Sequence, residues 1–200
     1  MSTLALAIQT IPDIETGRRL HNIGDLSDIG VAKAMFHLQQ QRTGSEDLPL
    51  YLQKIISIAI AYETDGKLQV EVLADMIAPQ QREKGLLQRY IKASQDKQQV
   101  TWQGNSYDFP ILRYRALKQG IQLAECSNAA LQVDLSQKFE PKILASATSL
   151  ADISCLLDLP PVAKWSKADI WQAYLAQEYA TIDQATKENA ANIYRIYQAI

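Results

Sequence analysis

"KIISIAIAYETDGKLQVEVLAD", residues 54–75, is the stretch on which the architecture turns. Two runs rich in β-branched and apolar residues flank Thr64-Asp65-Gly66. An Asp-Gly pair supplies the positive φ angles of a tight hairpin turn, so the stretch predicts two antiparallel strands. Its run "IISIAIAY" (55–62) has the length of a buried strand, far short of the ~20 apolar residues that cross a bilayer.

Upstream, "LALAI" (4–8) reads as a first strand, ended by Pro12. Residues 25–44 predict a helix with Val31, Met35 and Leu38 on one face and Gly44 as the stop. Downstream, "PQQREKGLLQRYIKASQDK" (79–97) predicts an amphipathic helix with Pro79 near its start. "QVTW" (99–102) is a short strand, followed by a Gly-Asn turn at 104–105. Residues 107–120 predict a helix with Asp108 near its cap, Pro110 in its first turn and Gly120 at its end. "QVDLSQKF" (132–139) is one more strand, and Asp134 within it reads as structural. Ser149 caps a helix over 149–161 that Pro160-Pro161 ends, and 166–200 is helical with a break around 177–180. A hairpin followed by alternating helices and strands implies an α/β fold with a mixed sheet. No repeat or low-complexity linker divides the chain, so residues 1–200 read as a single domain.

Composition excludes some classes of function. Hydrophobic residues make up 47% and charged residues 21%, ordinary globular values, and the net charge is −2. That balance argues against coating nucleic acid by charge alone, but a narrow cleft for one strand end is compatible with it. The N-terminus "MSTLALAIQT" lacks a basic n-region and a small-residue cleavage site, so no signal peptide is expected. Cys126 and Cys155 stand far apart in no CxxC spacing and read as free thiols of a cytoplasmic protein.

"VTWQGNSYDFPILRYRAL" (100–117) resembles the second exonuclease motif of the DEDD family. More narrowly, it is similar to bacterial proteins described as predicted 3′–5′ exonucleases related to the proofreading domain of family B DNA polymerases. Their pattern there is V-[ST]-W-N-G-x-x-[FY]-D-x-P-x-L-x-Y-R-A-L. Residues 8–60 resemble the subfamily's opening stretch, which usually starts F-D-I-E-T-[IV]-P-D, and 170–197 resemble its third motif. The resemblance is weakest across 121–148. It implies a ribonuclease H-like α/β fold, a mixed sheet of about five strands flanked by helices.

It also implies a chemistry. Such exonucleases place two divalent ions about 3.5–4 Å apart around the scissile phosphate, one activating water and the other stabilising the leaving oxygen. Hard Mg²⁺ or Mn²⁺ calls for oxygen ligands, best supplied by carboxylates. The family provides an Asp and a Glu from the first strand and one Asp from each later motif. A Tyr four residues before the last Asp helps position the water. Carried over by motif, these positions are Ala7, Gln9, Asp108 and Asn189, with Ala185 for the Tyr and Gln103 for the Asn of the second motif. Only Asp108 keeps its carboxylate, so no metal and no other cofactor is expected and no catalytic set is intact. Gln103, Asn105, Tyr107, Asp108 and Arg113 are the candidates to line a nucleic-acid cleft.

Each candidate has a plainer reading. "DIET" occurs at 13–16, six residues late, where Pro12 places it in a turn and its acids read as surface acids. Without the resemblance, Asp108 is a helix N-cap, and Trp102, Tyr107 and Phe109 are core packing. Arg82, Lys84, Arg89, Lys92, Arg113, Arg115 and Lys118 read as solvated helix charges. His21 and His37 lie in different elements without a ligand at i+4. Glu188 cannot replace Asn189, because one helical step turns a side chain by ~100°. The expectation is a pseudo-exonuclease, which either still holds a single-stranded DNA or RNA 3′ end or acts through protein contacts. The alternatives are a residual Mg²⁺- or Mn²⁺-dependent exonuclease using Asp108 with Asp13, Glu15 or Glu188, and a module acting through a protein partner.

Overall fold

The computed structural model describes residues 2–74, 82–122, 131–139 and 148–200. Pro79, Cys126 and most of 121–148 lie outside them. Five strands form one mixed sheet in the order β3-β2-β1-β4-β5: β1 (Thr3–Pro12), β2 (Gln53–Thr64), β3 (Lys67–Val72), β4 (Gln98–Thr101) and β5 (Gln132–Asp134). β1–β2 and β2–β3 pair antiparallel, while β1–β4 and β4–β5 pair parallel. The mixed α/β fold expected from sequence is the fold observed.

The hairpin turn is the one the sequence specifies, with Asp65 at φ 52 and Gly66 at φ 72. β1 is longer than its apolar run suggests. It pairs through Pro12↔Gln53, with a bulge between Gln9 and Thr10. A proline at the last strand position has no ladder donor to lose.

Beyond β1 lies a helix that the sequence reading placed in a turn, α1 (Ile14–His21). Asp13 caps it, accepting from the Thr16 N–H. Gly17 lets it approach α2 (Asp28–Thr43), since a Cβ there would lie 2.2 Å from the Met35 sulfur. α3 (Arg82–Ser94) and α4 (Asp108–Lys118) cover one face of the sheet, around Leu4, Leu6, Ile58 and Ile60. The expected strand over 132–139 is only β5 followed by one helical turn, α5 (Ser136–Phe139).

The capped helix at Ser149 is α6 (Leu150–Leu156), shorter than its proline boundary implied. The C-terminal helix breaks at Gln177 (φ 61) into α7 (Lys167–Leu175) and α8 (Tyr179–Gln198). α8 packs on the second face, where Ala5, Ala7, Ala59, Ala61 and Ala190 form a small-residue seam. Short side chains on both partners bring the helix close to β1. No helix among the described residues is long and apolar enough to cross a membrane.

Candidate nucleic-acid cleft

The loop between β4 and α4 is built on one buried carboxylate. Asp134, at the end of β5, accepts from the backbone N–H of Gln103 (2.9 Å) and of Asn105 (3.1 Å). It also accepts from the N–H (3.1 Å) and hydroxyl (2.7 Å) of Ser136. Four donors satisfy a carboxylate that is 6% exposed. Within the loop Gln103 adopts φ 62, and a Cβ on Gly104 would lie 1.9 Å from the Thr101 hydroxyl oxygen. The Gly of the motif is therefore sterically required. Asp134 reads as structural from sequence, and the geometry gives it that part.

Tyr107 joins this loop to β1. Its hydroxyl lies 2.8 Å from Thr10 Oγ1, which donates to Gln53 Oε1. Burial pushes the Tyr107 phenol up to about 12, so it stays neutral. Lys167, at the start of α7, sits 5.4 Å from the ring centroid and pairs with Asp47 at 2.6 Å. Tyr107 thus links its loop to β1 through Thr10 and to the start of α7 through Lys167.

Asp108 is the first helical residue of α4 rather than its cap; Tyr107 holds the cap position and makes no side-chain cap bond. The Asp108 carboxyl is 6% exposed and makes no hydrogen bond or ion pair with a described residue. Burial, with Asp134 nearby, pushes its pKa up to about 8. Arg113, five positions on and so roughly 140° round the helix, is exposed and stands apart from it.

Ala7 and Gln9 point to the α8 face of the sheet. Ala7 is packed in the cluster that contains Ala190, Ile193 and Tyr194. Gln9 is half-buried and opposite Ser57. On α8, Ala185 is buried and Asn189 half-buried. An acid that the motifs did not mark stands on the same helix. Asp183 accepts from Ser57 Oγ at 2.6 Å and pairs with Arg82. Its i−6 spacing from Asn189 gives no local signal. Among the described residues no three or more His, Cys, Asp or Glu side chains are grouped to hold a metal. His21 is half-buried and His37 exposed, in different helices.

Asp13 is 1% exposed, not a surface acid. It pairs with Arg115 and with Lys118 (2.8 Å) and also accepts from the Thr16 hydroxyl. Burial opposes its ionisation, but Lys118 and Arg115 hold its carboxyl well below the usual range. Arg115, expected on a solvated face, is 2% exposed and makes a bidentate pair with Glu83 at 2.7 Å on both arms. Arg82 is likewise buried against Asp183. Glu15 is exposed, as a surface acid should be, and Glu188 accepts from Gln184 on its own helix. Phe109 is core; Trp102 stacks on Phe139 with centroids 5.9 Å apart.

Residues 45–143 match the family model described as a predicted 3′–5′ exonuclease related to the exonuclease domain of PolB. The matched stretch, just under half of the chain, is similar to that family. It takes in β2 to β5, the loop at 102–107 and Asp108. Among solved structures, the family B DNA polymerase of the hyperthermophilic archaeon Pyrobaculum calidifontis superposes with a TM-score of 0.62 at 11% identity. The match covers 100% of this chain but only 24% of the polymerase, so the likeness is one of fold and to a part. No curated protein matches the sequence. The chain thus has the mixed α/β, ribonuclease H-like fold, and its residues 45–143 match an exonuclease family model.

Proposed function

We propose that this exonuclease-like domain does not cut nucleic acid and instead holds a single-stranded 3′ end in the cleft beside the 102–107 loop. The observation that carries the reading is the donor set. Of the four ligand positions of the family, Ala7 has no donor, Gln9 and Asn189 are neutral amides, and only Asp108 is a carboxyl. One carboxyl with neutral neighbours does not fit two divalent cations, which need anionic oxygens to offset their charge. Asp108 itself is buried where its neutral form is favoured.

What supports retained binding is the loop. Asp134, Gly104 and the Tyr107–Thr10 bond hold its backbone in one shape. Loss of three carboxylates also removes repulsion between the cleft and a phosphate backbone.

The test is a 3′-labelled single-stranded DNA incubated with Mn²⁺, for the natural chain beside Asp108→Asn. Intact substrate in both is expected, with salt-dependent gel retardation of the same strand. Cleavage by the natural chain alone would mean that other acids rebuild the site. No retardation even at low salt would point to a protein partner instead.

A further inference from the structure

A cavity of about 530 Å³ lies between α1, the start of β2, α3, α4 and α7. None of the family's site positions, and no residue of the 102–107 loop, lines it. Its size is that of a small-molecule site. Its walls carry six cationic and four acidic side chains, on a chain whose net charge is −2.

The acids are already matched. Asp13 and Glu83 are held by Arg115 and Lys118, Asp28 by Arg18, and Glu15 by Lys118 and Arg19. Lys54 and Lys84 make no side-chain hydrogen bond or ion pair with any described residue. They are the surplus of two charges, Lys54 half-buried and Lys84 on the rim. Arg115, at 2% exposure, commits three of its five N–H groups to Glu83 and Asp13, which leaves two without a described acceptor. The wall beyond the cations is apolar and aromatic, from Ile11, Trp171, Tyr174 and Leu175.

We infer that this cavity binds a phosphate monoester carried on a ring-containing body, either a free mononucleotide or a 5′-phosphorylated strand end. Two unmatched lysines complement a dianion, and the apolar wall takes the remainder. A carboxylate would leave one of the two charges unmatched.

The test is calorimetric titration of the full chain at low salt with dAMP, adenosine, inorganic phosphate, and a trinucleotide with and without a 5′-phosphate. A Lys54→Ala/Lys84→Ala double variant, checked for fold by circular dichroism, is titrated alongside. Saturable binding of a phosphorylated probe, weakened at least tenfold in the double variant, is the expected result. Tighter binding of the 5′-phosphorylated trinucleotide than of dAMP assigns the site to strand ends; the reverse assigns it to mononucleotides. No binding of either at millimolar concentration overturns the inference. So does equal binding in the double variant, or binding of inorganic phosphate as tight as dAMP. The 3′-end reading is tested by different residues and a different substrate, so either can fail alone.

Discussion

Gln103 carries the turn that the family's motif gives to Asn, and it does so at φ 62. That left-handed conformation costs a residue with a Cβ roughly 1–2 kcal/mol, and Asn tolerates it best among non-glycines. Gln103→Asn is therefore expected to stabilise the chain by up to about 1 kcal/mol, read as a higher urea midpoint at unchanged slope. Gly104→Ala should do the opposite and cost about 1–3 kcal/mol, because the new methyl meets the Thr101 side chain. Asp108 makes a prediction in pH. Its folded pKa, about 8, lies above the ordinary 3.8, so folding favours the neutral acid. The stability this contributes is complete below about pH 4 and is lost as pH rises towards 8. Asp108→Asn keeps a neutral isostere throughout. Urea midpoints at pH 5 and pH 8 should show the variant's advantage growing with pH; a constant difference would mean that Asp108 ionises freely.

At the level of elements, one guanidinium ties three helices together. Arg115 of α4 reaches Asp13 at the cap of α1 and Glu83 in the first turn of α3. Glu83 in turn accepts from the Ile55 N–H of β2 at 2.8 Å. Arg115→Met would leave two buried acids short of their partner, which costs about 3–5 kcal/mol when such a pair is broken. Equilibrium unfolding measures it, and a loss below about 1 kcal/mol would place Arg115 with ordinary surface charges. The α8–β1 seam works by shape instead. Alanines at 5, 7, 59, 61 and 190 let the helix lie close to the sheet, and Ala7 is the position to which the resemblance assigns a carboxylate.

Over the whole molecule, the positions that the resemblance assigns to a metal site fall on β1, at the start of α4 and on α8. The triple variant Ala7→Asp/Gln9→Glu/Asn189→Asp should thus gain an Mn²⁺-dependent rise in melting temperature of several degrees, absent from the natural chain. Thermal unfolding with and without Mn²⁺ decides it, and no metal response would mean that the scaffold has drifted beyond the loss of ligands. What the sequence determined by itself was everything carried by neighbours along the chain. Asp65-Gly66 specified the hairpin, Ser149 capped its helix, and the 100–117 motif carried the resemblance that the family model over 45–143 matches. Tertiary structure alone decided the rest. Asp13 and Arg115 are 102 positions apart, and Ser57 and Asp183 126, so no local pattern marks them as partners. β1 runs on through Pro12 because β2 is there to pair with it, and the Asp13 cap of α1 lies buried because Lys118 and Arg115 arrive from α4 to neutralise it. Backbone propensity acts within a few residues; burial and charge act through space, and only the folded chain defines that space.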